Sequence, residues 1–155
     1  MSNEISKVEQ TALRLVNFRP RFSAELAWKL KEKGFEQSEI ESLIKKFEHL
    51  KILQDEAFLP AFIVNLVENR RWSRRKIETK LMSMHLHKEQ IIQYLDQYFT
   101  ENLESNKENL KELIVKKKRQ LSRLDERMKK QKIIQFLSSR GFNYGDIKQA
   151  LEETD

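Results

Sequence analysis

Residues 23–44 read SAELAWKLKEKGFEQSEIESLI, and the apolar positions within them, Leu26, Leu30, Phe35, Ile40 and Ile44, return twice at the same spacing. In residues 74–95, RRKIETKLMSMHLHKEQIIQYL, they become Ile77, Leu81, Leu86, Ile91 and Leu95. In residues 130–151, KQKIIQFLSSRGFNYGDIKQAL, they become Ile133, Leu137, Phe142, Ile147 and Leu151. Apolar residues four apart share one face of a helix. Each copy therefore predicts a helix, a short turn and a second helix, with Phe35, Leu86 and Phe142 plugging the junctions. Gly34 and Gly141 stand just before two of these plugs, where a helix end often needs a left-handed residue. The middle copy has His85 there, which predicts a longer or more strained turn.

An apolar helix is expected ahead of each copy, over residues 5–18, 55–70 and 107–121. Val8, Leu13 and Val16 make the face of the first, and Pro20 ends it. Phe58, Phe62 and Leu66 make an inward stripe on the second, capped by Asp55. Pro60 in that helix predicts a late start or a kink, since proline clashes with the carbonyl four residues back. Leu110, Leu113, Ile114, Leu121 and Leu124 line the third. Ser23, Ser38 and Ser73 are suitable N-caps for the helices that follow them. The fold expected is all-α: three tandem three-helix repeats, residues 1–52, 53–102 and 103–155, in an elongated helical array with room for curvature. Short polar joints near Gln54, between Glu101 and Ser105, and between Ser122 and Asp125 leave neighbouring repeats free to pack directly.

Composition agrees with this reading. Among 155 residues there are 3 Gly and 2 Pro against 35% charged side chains, which favours helix over turn-rich sheet. No apolar run approaches the roughly 20 residues that span a bilayer, so a cytoplasmic protein without a membrane partner is expected. The absence of cysteine excludes disulfides, thiolate zinc sites and thiol nucleophiles. His85 and His87 form a His-x-His pair with no third ligand nearby, so no metal is expected. Adjacent acids such as Asp55 with Glu56, and Glu152 with Glu153, are ordinary helix-end charges. With no glycine-rich phosphate loop and no Ser–His–acid set, neither a cofactor, nor a small-molecule substrate, nor catalysis is expected.

The net charge of +6 is unevenly placed. Residues 106–132 hold eleven Lys or Arg and four acids, so the remainder is nearly neutral. Lys116, Lys118, Arg119, Arg123, Arg127 and Lys130 carry this run, and spacing puts Lys116, Arg119 and Arg123 on one face, while Lys117 lies close enough to the apolar stripe to snorkel. A second cluster, Arg70, Arg71, Arg74, Arg75 and Lys76, surrounds Trp72, which occupies the place of Phe22 in the first copy and reads as a junction plug before it reads as a base-stacking platform. Two concentrated patches point to an anionic partner.

The motifs Phe22-Ser-Ala-Glu-Leu26 with Lys33-Gly-Phe35, Leu53 with Asp55-Glu-Ala-Phe58, and Arg140-Gly-Phe-Asn-Tyr144 resemble, in that order, those of the RecX family of bacterial recombination regulators. The resemblance covers nearly the whole chain. It implies nine helices in three repeats and a monomer that binds filaments of the RecA recombinase, inhibiting strand exchange and ATP hydrolysis without chemistry of its own. The basic residues named above are then expected to contact the filament, or its single- or double-stranded DNA. The family commonly has glycine in the basic loop before the middle repeat, where this chain has Asn69, Arg70, Arg71 and Trp72. Two other readings fit the same residues: a helical protein that binds nucleic acid directly through its basic patches, and a helical scaffold on which the patches are incidental.

Overall fold

The backbone at Gly34 and Gly141 closes two helices in the same way. Both glycines are left-handed, with φ of 90° and 91°. Their amides bond to Lys31 and Ser138, while the amides of Phe35 and Phe142 reach back to the carbonyls of Leu30 and Leu137. This is the Schellman closure, in which the residue after the left-handed one packs on the last helical turn. The junction plug read from spacing is that residue. His85 takes the equivalent left-handed conformation at φ 64° without being glycine, so the middle turn is the strained one.

The computed structural model describes residues 4–155 and places nine helices among them: α1 (Lys7–Phe18), α2 (Ser23–Glu32), α3 (Gln37–His49), α4 (Asp55–Glu68), α5 (Arg74–Ser83), α6 (Lys88–Glu101), α7 (Leu103–Gln120), α8 (Glu126–Ser139) and α9 (Tyr144–Glu153). No described helix is long and apolar enough to cross a membrane. The described residues form two compact units. One runs to Phe62 and takes in Leu81–Lys88; the other comprises Ile63–Lys80 and Glu89–Asp155.

In the first unit α1, α2 and α3 pack on one another around Val8, Ala12, Leu26, Leu30, Ile40 and Phe47. In the second, α7, α8 and α9 do the same around Ile114, Ile133, Leu137, Ile147 and Leu151. Every residue of the repeated template is buried except Phe35, Ile44 and Phe142, which are half-buried. Phe22 has no exposed surface, and its ring meets Phe58 at 4.5 Å and Phe62 edge-on at 5.6 Å. Phe22→Ala is expected to cost about 3–5 kcal/mol, the range for emptying a buried aromatic site. Urea denaturation followed by circular dichroism measures it, and a loss below about 1 kcal/mol would mean that this triad does not anchor the first unit.

Several local expectations are corrected. Ser23 is the first residue of α2 rather than its cap; its amide bonds to the Asp55 carboxylate at 2.9 Å. Asp55 thus serves α2 while standing as the first residue of α4. Ser38 lies inside α3, which is capped by Glu36 and Glu39 in a reciprocal capping box. Carboxylates accept amide hydrogen bonds as well as hydroxyls do, and three-dimensional neighbours can supply them, so the serine positions alone mislead. Ser73 does cap α5, accepting from the Lys76 amide at 3.4 Å.

Pro60 delays nothing: α4 runs unbroken from Asp55, with Pro60 sixth in it. The ring removes the amide that the Glu56 carbonyl would have accepted, but both residues are exposed and water can replace that donor. The buried stripe of α4 is Leu59, Ile63, Leu66 and Val67, with Phe58 and Phe62 half-buried beside it. Residues 57–67 are apolar nearly all round, so periodicity could not select the face. The expected joint between Glu101 and Ser105 shrinks to Asn102, whose side-chain amide donates to the Tyr98 carbonyl at 2.8 Å as α7 starts directly after α6.

Candidate functional site

Arg71 is left-handed, with φ 55°, in the loop that follows α4. A side chain in this conformation costs on the order of 1 kcal/mol or more that glycine avoids. The loop is anchored on the end of α8. The Ser73 amide donates to the Arg140 carbonyl at 2.8 Å, Lys76 Nζ donates to the Ser139 carbonyl at 2.6 Å, and Arg140 Nη1 donates to the Arg70 carbonyl at 3.1 Å. These three bonds cross between segments 63 to 70 residues apart in sequence.

The consequence is a groove of about 560 Å³ between this loop, α7 and α8. Arg70 and Arg71 form one wall, Lys116 and Lys117 the second, and Phe136 with Arg140 the third. Lys117 Nζ sits 4.4 Å from the Phe136 ring centroid and the Arg140 guanidinium 5.1 Å from it, so the ring holds two cations by its face charge. Arg140 Nε is buried without a partner. Glu68 and Glu112 also border the groove, leaving the cations in excess. Among the described residues no acid pairs with Arg70, Arg71 or Lys116.

Not all of the expected basic residues share this groove. Arg74 pairs with Asp96, and Arg75 is exposed on α5. Lys76 lies over the Trp72 ring at 4.4 Å while it holds Ser139, so it anchors the loop. Trp72 is half-buried, less enclosed than Phe22. Lys118 is committed to the two residues that follow α9: its amine bonds to Asp155 at 2.8 Å and Thr154 at 3.4 Å, which lowers the Asp155 pKa. Lys111 clasps Glu153 in the same way at 2.9 Å, lowering the carboxylate pKa and raising its own. Arg119 and Lys116 are exposed on α7, but Arg123 lies beyond the end of that helix, so the expected three-residue face is corrected to two. Helical spacing carries no information past Gln120. Arg127 and Lys130 are exposed on α8, and Lys130 borders a separate cleft with Lys118, Lys129 and Lys148.

Arg140 and Phe136 are the residues that sequence reasoning missed. Arg140 stood in the closing motif beside Gly141 and was not among the basic residues expected to contact a partner. His85, considered for a metal, instead stacks on Trp28 at 4.4 Å with 12° between the ring planes.

Over residues 105–151 the chain matches the third three-helix domain of RecX, and over residues 10–47 the first. Regulatory protein RecX of Pelodictyon phaeoclathratiforme is 30% identical over 140 residues, covering 90% of this chain and 84% of that protein. The chain belongs to the RecX family. Regulatory protein RecX of Finegoldia magna is 29% identical over 140 residues, 89% of this chain and 67% of its own length. The RecX of Clostridium perfringens is 29% identical over 150 residues, 92% and 66% respectively, so the chain spans about two thirds of these two relatives. A crystal structure of RecX from Lactobacillus salivarius superposes with a TM-score of 0.73 at 22% identity, covering 100% of this chain and 99% of that one. The RecX fold, an all-α array of three-helix repeats, is therefore the fold of this chain.

Proposed function

We propose that this chain is a non-enzymatic regulator that binds the nucleoprotein filament of the RecA recombinase in the cytoplasm and inhibits strand exchange and ATP hydrolysis by occupying it. The observation that carries the reading is the convergence of Arg70, Arg71, Lys116 and Arg140 on one groove, with no acid paired to the first three among the described residues. Like charges held together repel one another until an anionic surface approaches. Membership of a family of regulatory proteins supports reading that anionic surface as the filament. In this reading the repeats, residues 1–52, 53–102 and 103–155, act as modules of one binding body. Arg119, Arg123, Arg127 and Lys130 contribute at longer range.

The same unpaired cations favour a second reading, direct binding of nucleic acid. The test is the affinity for recombinase-coated single-stranded DNA beside that for bare DNA of the same length, at several salt concentrations. Coated DNA is expected to bind at least tenfold more tightly. Affinity for bare duplex should fall with a log–log slope of about −0.9 for each phosphate neutralised. Equal affinity for coated and bare DNA would overturn the filament reading in favour of the second.

A further inference from the structure

Beside the basic groove, and sharing Arg71 and Leu113 with it, lies a cleft of about 370 Å³ whose walls are mostly apolar. Trp72, Phe99, Leu110 and Phe142 supply those walls, and Arg71, Arg74 and Arg75 also line it. Asn106 lines it, and the side-chain nitrogen of Asn106 is buried without a hydrogen-bond partner. Glu78 and Asp146 also border it; Asp146 accepts from the Asn143 side chain at 2.8 Å. Aromatic and aliphatic walls, a few convergent polar groups and this volume suit a small planar ligand.

We propose that this cleft takes one unstacked nucleobase of single-stranded DNA whose phosphates lie along the adjoining basic groove. The proposal rests on the reading of that groove as an anion-contacting surface. A base has an apolar face for Trp72, Phe99 and Phe142. Its edge carries ring nitrogen and carbonyl acceptors for Asn106, and in cytosine an exocyclic amino donor for Glu78 or Asp146. A base acceptor reached by the Asn106 amide would give this unpaired donor its missing partner. The carboxylates at the border repel a phosphate, which keeps the backbone on the arginine side. An extended peptide with an acidic residue next to an aromatic one is the competing occupant, and its acidic side chain would meet the same repulsion from the two carboxylates.

The experiment compares a cytosine oligonucleotide with an abasic oligonucleotide of equal length by fluorescence anisotropy, using the full chain. The cytosine strand is expected to bind about tenfold more tightly, the usual scale for one stacked base. Asn106→Leu and Phe99→Ala should each bring it to within about twofold of the abasic strand. The leucine variant should melt no lower than the parent, because it removes a buried donor that has no partner. Equal affinity for the two strands, or no binding of either, overturns the proposal. So does Asn106-dependent capture of a phenylalanine-bearing acidic peptide without any base preference. Inhibition of filament ATP hydrolysis is measured on the same preparations. If it persists without a base preference, the groove reading stands and only the cleft assignment falls.

Discussion

Arg70→Glu combined with Lys116→Glu is expected to raise the concentration needed to inhibit filament ATP hydrolysis by about a hundredfold while leaving helical content unchanged. The two side chains line one groove from different elements, the loop after α4 and α7, and both are exposed, so neither contributes to the core. A partly desolvated contact between a cation and an anionic surface contributes on the order of 1 kcal/mol, and reversal replaces that attraction with repulsion, roughly tenfold per site. The effect should shrink as salt rises, because exposed charges interact weakly beyond the Debye length of about 10 Å at 0.1 M. Lys118→Glu is the comparison that separates groove from total charge. It changes the net charge as much as either single reversal, but Lys118 is spent on Asp155 and Thr154. Its consequence should be looser docking of α9, read as faster amide exchange there, with inhibition much less affected. If the double variant inhibits as the parent does, the groove is solvated surface and the proposed contact is wrong.

Gly141→Ala should destabilise the second unit by about 2–5 kcal/mol, whereas Gly34→Ala should cost the first only about 1–2 kcal/mol. Both glycines carry the same left-handed backbone, so the conformational cost is common to both. What differs is the space around them. A Cβ at 141 would stand 2.4 Å from Ser73 Oγ and 2.6 Å from Lys76 Cβ, whereas one at 34 would meet nothing within 4 Å. The clash falls on the two residues that fasten the basic loop to α8, through the Ser73 amide and the Lys76 amine. Gly141→Ala should therefore also release Arg70 and Arg71 from the groove and weaken inhibition at temperatures where the helices remain folded. Trp28 lies in the first unit and Trp72 in the second, so urea denaturation followed through the two indole NMR signals reports each unit separately. Equal losses for the two alanine variants would show that the close approach at Gly141 relaxes without cost.

The helices and their register were legible in the sequence because their cause is local. An apolar pair four apart, a left-handed residue and the apolar residue after it define one helix end with no reference to the rest of the chain, and three copies in phase leave little freedom. Leu26, Ile77 and Ile133 were placed on buried faces by that pattern alone, and all three are buried. The likeness to RecX rested on the same junction residues. Where the local pattern was uniform, as along the apolar residues 57–67, it could not select a face; where any nearby acceptor would serve, as at Ser23 and Ser38, it misnamed the cap.

The groove is a different kind of fact. Sequence counted the cations correctly but could not tell Arg70 and Lys116, which share a cavity, from Lys118, Arg74 and Lys76, which are held elsewhere. Nor could it join Arg140 to Arg70 across 70 positions. Charge is a property of a residue, whereas its effect depends on which other charges lie within a few ångströms, and that distance is set by how α7, α8 and the loop after α4 pack. Periodicity determined which side of each helix is apolar; only the tertiary structure decided which of the remaining polar residues meet.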